Sequence, residues 1–156
     1  MSRIQLALNV DDLDAAVDFY SKLFDTTPAK VRPGYANFAV ENPPLKLVLF
    51  EQPGQGGTIN HLGVEVESPE LVAAAQQRLA TQGMATATEE GVACCYARQD
   101  KVWVDGPSGE PWEIYTVLAD VEMPGGQLRT VDPETGDVRC AVATDDEVVA
   151  GSSACC

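Results

Sequence analysis

Apolar and polar residues alternate with a period of two from Gln5 to Val10, then recur with a helical period, and the same sequence of patterns follows from His61. Successive side chains on a strand point to opposite faces, so QLALNV predicts a strand with Leu6, Leu8 and Val10 on one side. Leu13, Ala16, Val17, Tyr20 and Phe24 then keep helical spacing, and Asp11 or Asp12 precedes them as an N-cap. The second copy, HLGVEV, places Leu62, Val64 and Val66 on one face. Ser68 and Pro69 open its helix, Leu71, Val72, Ala75 and Leu79 form the inward stripe, and Gly83 stops it. The two copies superimpose with a constant offset of 56 residues. Strand-like runs follow each helix: YANFAV and LKLVLFEQ in the first copy, TATEEGVACC, KVWVDG and WEIYTV in the second. The chain therefore reads as βαβββ twice, an α+β arrangement with modules of about 1–53 and 59–118.

The alternation also says which polar side chains turn away from the helices. Gln5 and His61 open the face opposite the apolar stripe at equivalent positions of the two copies. In WEIYT, Trp112 and Ile114 belong with the helix side, which turns Glu113 and Tyr115 to that opposite face. One amide, one imidazole and one carboxylate are expected to converge there, and a buried carboxylate wants a cation. Cys94 and Cys95 are adjacent, and two neighbouring thiols can share a target only where the strand alternation breaks. They predict a loop or a strand end.

Charge and cysteine content narrow the function classes. A formal net charge of -14 with no basic cluster argues against nucleic acid and anionic lipid as partners. The apolar run in MSRIQLALNVDDLDAAV is too short for a signal peptide or a membrane helix, which gives a cytoplasmic expectation. Five cysteines (Cys94, Cys95, Cys140, Cys155, Cys156) make an odd count unlike a secreted disulfide framework, so reduced thiols are expected. Residues 119–156 carry eight acidic residues against Arg129 and Arg139, with PGG, ETGD and GSSACC and few large apolar residues. Little burial offsets chain entropy there, so this stretch reads as a flexible tail with one short strand in DVRCAVA.

The paired modules, the strand-opening Gln5 and His61, and the stretch DGPSGEPWEIY resemble the vicinal oxygen chelate superfamily of glyoxalases, bleomycin-resistance proteins and extradiol dioxygenases. The resemblance covers roughly residues 1 to 118. It implies two βαβββ modules curled into an incomplete barrel around a divalent metal, with Gln5, His61 and Glu113 as its ligands and catalytic through it. LKLVLF offers only apolar residues at the position of a fourth ligand, and three ligands are what a non-haem Fe(II) oxygenase needs.

Within that superfamily, Gln, His and Glu combined with a late Cys-Cys pair look like the non-haem-iron carbon–arsenic lyases and the related cadmium-induced proteins. The resemblance implies Fe(II), with Ni, Co, Mn or Zn as other occupants, and O2 as co-substrate. It also implies that Cys94 and Cys95 clamp a trivalent methyl- or aryl-arsenical, with Tyr96 as a further candidate in the substrate site, and that inorganic arsenite is released. The match is chemically apt, because trivalent arsenic is soft and thiophilic. The alternatives are a cadmium- or arsenic-sequestering protein without turnover and a glyoxalase-like metal-dependent lyase. A monomer is favoured over a dimer, since two modules suffice for one site.

Overall fold

Burial against helix α1 (Leu13–Phe24) organises the first half of the chain. Asp12 is its N-cap, its side chain accepting from the Ala15 N–H at 2.8 Å, and Asp25 ends it in the left-handed region at φ 47°. The computed structural model describes residues 2–94 and 96–121, and beyond them the backbone of the strands at 127–131, 138–142 and 150–151. Cys95, Cys155 and Cys156 and the side chain of Cys140 lie outside the described residues.

Before α1 runs β1 (Arg3–Val10), and after it come β2 (Lys30–Arg32), β3 (Tyr35–Val40) and β4 (Leu45–Glu51). The second copy follows as β5 (Ile59–Glu65), α2 (Pro69–Thr81), β6 (Ala87–Cys94), β7 (Ala97–Asp105) and β8 (Pro111–Asp120). The element order is βαβββ twice, the α+β order expected. The strand β2 has no counterpart in the runs singled out from the sequence, because its three residues, Lys30, Val31 and Arg32, are too few to show a period.

The chain packs as two compact units, and β8 contributes to both. The first holds residues 1–67 and 105–114. Its strand order is β2-β3-β4-β1-β5 with the start of β8 beside β5; β1 runs parallel to β4 and antiparallel to β5. The expected apolar stripe is on the helix side. Leu6, Leu8 and Val10 pack with Leu13, Ala16, Val17, Tyr20 and Phe24 of α1 around a buried cluster that includes Phe38, Val40, Leu47 and Leu49. Each such fully buried side chain contributes about 1.5–3 kcal/mol through removal of apolar area from water. The opposite face of the sheet is left to the polar positions.

The second unit holds residues 68–104 and 115–156, with strand order β8-β7-β6. Its helix α2 starts with Ser68 as N-cap and Pro69 in the first turn, and it buries Val72 and Leu79. The Ser68 hydroxyl bonds the Glu70 carboxylate and holds it below its ordinary value. Leu71, expected on the inward stripe, is 45% exposed; with Val72 as the buried position the stripe is narrower than drawn from spacing. The acidic C-terminal stretch holds more strand than expected: β9 (Gln127–Val131), β10 (Val138–Val142) and β11 (Ala150–Gly151) pair antiparallel in the order β11-β10-β9. Only β10 had been read from the sequence; β9 and β11 are formed by cross-strand pairing rather than by a strong pattern of their own. Among the described residues no helix is long and apolar enough to cross a membrane.

Candidate metal centre

Three strands of the first unit each contribute one polar side chain to a single buried point. Gln5 stands on β1, His61 on β5 and Glu113 on β8, and they are 3%, 3% and 2% exposed. The Gln5 Nε2 group donates to Glu113 Oε1 at 2.7 Å and lies 2.9 Å from His61 Nε2. His61 Nε2 and Glu113 Oε1 are 3.4 Å apart. The sequence-predicted amide, imidazole and carboxylate therefore meet.

Strand pairing explains why they can. The antiparallel register sets Gln5 opposite Gly63 and Ala7 opposite His61, so the two rows flanking the point carry a glycine and an alanine. A Cβ at Gly63 would lie 3.1 Å from Glu113 Cγ and 3.3 Å from Gln5 Nε2. The missing side chain is the space in which the amide and carboxylate meet. Sequence reading missed Gly63 because only the β1–β5 register reveals what it faces.

The donor set fits a divalent cation. Ligands held in neighbouring positions at about 2.1 Å from one ion sit about 3 Å apart, and the three distances here bracket that value. Carboxylate oxygen, imidazole nitrogen and amide oxygen suit Fe(II), Mn, Co, Ni or Zn. Gln5 would present Oε1 after a half-turn of its amide, whose two ends are nearly isosteric. Among the described residues no cluster of three His, Cys, Asp or Glu is placed for a metal, so the amide is needed to complete any three-ligand set here. β4 adds no fourth ligand to the site among the described residues: its carboxylate, Glu51, accepts from the Leu13 N–H at 3.0 Å. Its Lys46, Val48 and Phe50 are in register with Gln5, Ala7 and Asn9, and the Lys46 ammonium is taken by Glu65 at 3.1 Å. The Phe50 ring lies 6.2 Å from the His61 ring, centroid to centroid, and gives the imidazole an apolar wall.

Behind His61 is a polar chain that the sequence reading did not identify. His61 Nδ1 is 2.8 Å from Asn60 Oδ1, Asn60 Nδ2 donates to Asn9 Oδ1 at 2.9 Å, and Asn9 Nδ2 donates to Thr58 Oγ1 at 2.9 Å. Asparagine at 9 and 60, in strands, was the available signal.

The cysteine pair falls in the second unit. β6 ends at Cys94 and β7 begins at Ala97, and Tyr96 takes φ 65° and is buried; the expectation for Cys95 lies outside the described residues. Cys94 is 2% exposed and disulfide-bonded, which corrects the expectation of a reduced thiol at this one position. The side chains of the other four cysteines lie outside the described residues. Lys101, fully buried on β7, donates to Cys94 Sγ at 3.3 Å, and its ammonium lies 5.3 Å from the centre of the Trp103 ring. A lysine inside KVWV was the sequence signal for it.

Comparisons with known proteins bear on the family of the chain. The family model of the glyoxalase/bleomycin resistance protein/dioxygenase superfamily matches residues 3–114. A Mycobacterium tuberculosis (strain ATCC 25618 / H37Rv) protein named cadmium-induced protein CadI is 58% identical over 153 residues, covering 98% of this chain and 99% of its own. A Thermomonospora curvata protein named trivalent organoarsenical cleaving enzyme is 62% identical over 123 residues, covering 78% of this chain and 82% of its own. The Mn(II)-bound glyoxalase of Novosphingobium aromaticivorans shares the fold with a TM-score of 0.57 at 19% identity, over 78% of this chain and 42% of that one. The chain belongs to the glyoxalase/bleomycin resistance protein/dioxygenase superfamily.

Proposed function

We propose that this protein is an Fe(II)- and O2-dependent carbon–arsenic lyase that releases inorganic arsenite from trivalent methyl- or aryl-arsenicals. The observation that carries the reading is the meeting of Gln5, His61 and Glu113 within 3.4 Å of one another at a buried point. The relative named for trivalent organoarsenical cleavage supports the substrate class. Fe(II), when bound by these three residues, supplies O2 activation at the sites they leave open.

The chain's own residues have distinct tasks. Glu113 supplies the negative charge that makes a divalent ion welcome in a buried site. His61 supplies a neutral lone pair, and Gln5 a neutral oxygen that leaves more positive charge on the ion than a second carboxylate would. Cys94 and Cys95 serve as the arsenical clamp once the disulfide at Cys94 is reduced by a cellular thiol. Each thiol replaces one hydroxyl on arsenic, forming an As–S bond and releasing water. The Lys101 ammonium beside Cys94 Sγ favours the thiolate that this exchange requires. Cytoplasmic reducing conditions suit that chemistry, and a monomer carries all the residues it names.

The test is anaerobic loading with Fe(II), addition of methylarsonous or phenylarsonous acid with and without O2, and chromatographic measurement of arsenite. Arsenite over many turnovers, only with both iron and O2, is expected. Stoichiometric arsenical uptake without arsenite would replace the proposal with sequestration, the reading favoured by nearly full-length similarity to a cadmium-induced protein.

A further inference from the structure

The polar chain behind His61 has a direction, and a backbone carbonyl sets it. The carbonyl of Gln55 can only accept, so the Thr58 hydroxyl, 2.7 Å away, must donate to it. The lone pairs of Thr58 Oγ1 then receive Asn9 Nδ2, which turns Asn9 Oδ1 toward Asn60 Nδ2. Asn60 Oδ1 is thereby turned toward His61 Nδ1, which must carry the proton. Nε2 is left with its lone pair facing Gln5 and Glu113. Each amide could be rotated on its own, but rotating any one sets donor against donor or acceptor against acceptor at its neighbours.

We infer that Gln55, Thr58, Asn9 and Asn60 form a relay that fixes His61 as the Nδ1–H tautomer and so pre-sets Nε2 as a metal donor. The inference rests on the metal reading of the three-residue site. It extends that reading to four positioning residues, the outermost of which is Gln55, whose carbonyl accepts from the exposed Thr58 hydroxyl at 2.7 Å. The loop is itself pinned. Asp11 Oδ1 accepts from the N–H groups of Gly54 and Gly56 at 2.7 and 3.0 Å, the Asn9 N–H donates to the Thr58 carbonyl at 3.0 Å, and the Gly57 N–H donates to the Asn9 carbonyl at 3.0 Å. The anchoring carbonyl is therefore held in place relative to the strand that carries Asn9.

The chain contains a single histidine, so selective 15N-histidine labelling reports one imidazole. In the full-length metal-free protein at alkaline pH, where an imidazole is neutral, the 15N shifts are expected to show Nδ1 protonated and Nε2 bare. Mn(II) binding by calorimetry supplies the second readout. Asn60→Leu is expected to weaken Mn(II) by about 10–100-fold, the usual loss when a partner of a ligating histidine is removed. Asn60→Asp, which keeps the acceptor, retains affinity. Thr58→Val, at an exposed position that leaves the core untouched, is expected to mix the tautomers and weaken Mn(II) several-fold, with Thr58→Ser restoring both. A wild-type imidazole protonated at Nε2, or Thr58→Val with wild-type tautomer and affinity, would overturn the relay. Neither readout involves an arsenical: arsenite release with an indifferent Thr58→Val sinks the relay alone, and an intact relay with no arsenite sinks the lyase alone.

Discussion

Gly63→Ala tests whether the site depends on the close approach of Gln5 and Glu113. The new methyl would sit 3.1 Å from Glu113 Cγ, 3.3 Å from Gln5 Nε2 and 3.3 Å from the Glu113 carbonyl oxygen, where ordinary contacts begin at 3.4 Å. The carbonyl belongs to a strand and cannot swing aside, so the give of a few tenths of an ångström falls on the two ligand side chains. Overpacking of this kind costs roughly 1–3 kcal/mol. Replacing glycine by alanine inside a strand returns about 0.5–1 kcal/mol of backbone entropy. The net destabilisation is therefore about 1 kcal/mol, or roughly 2–4 °C in Tm for a chain of this size. Metal binding is hit harder, because two of three donors are displaced together, and a loss of about tenfold follows from about 1.4 kcal/mol of ligand strain. Differential scanning calorimetry without metal and Mn(II) titration by calorimetry measure the two effects on one preparation. A variant with unchanged Mn(II) affinity would refute the idea that Gly63 makes room for the site.

His61→Ala and Glu113→Ala should each reduce Mn(II) binding at least 100-fold, since each removes a donor and leaves a buried polar partner behind; calorimetric affinity within tenfold of wild type would exclude that residue as a ligand. Phe38→Ala, at a fully buried position of the α1 cluster, should cost about 3–5 kcal/mol in urea unfolding, and a loss under 1 kcal/mol would mean that the cluster is not the core of its unit. In protein reduced with dithiothreitol, Lys101→Met should slow iodoacetamide alkylation of Cys94 severalfold at neutral pH, with Lys101→Arg closer to wild type. Equal rates, read by mass spectrometry of the Cys94 peptide, would remove Lys101 from any role in thiol activation.

Much of the site was legible before any coordinates. Period-two alternation placed Gln5, His61, Glu113 and Tyr115 on the face away from the helices, and helical spacing placed α1 within a residue of its observed span. These patterns are local: a side chain's face follows from its neighbours two, three or four residues away. Leu71 shows the limit, because spacing gives a stripe but not its width. The short strands β2 and β11 were invisible for a related reason: two or three residues carry too little pattern to stand out from a loop.

By itself, the sequence determined the repeated βαβββ order, the polar identity of the face opposite α1, and the three residue types able to form a metal centre. Only the tertiary structure decided that Gln5 stands opposite Gly63, that Asn60 and Asn9 join Thr58 in one oriented chain, and that Cys94 is oxidised beside a buried Lys101. The first two depend on which distant strand pairs with which, and in what register; the contact of Lys101 with Cys94 depends on the register of the neighbouring strands β6 and β7. Pairing register is set by burial and hydrogen bonding summed over whole strands, and a shift of one residue would turn every side chain on them to the other face.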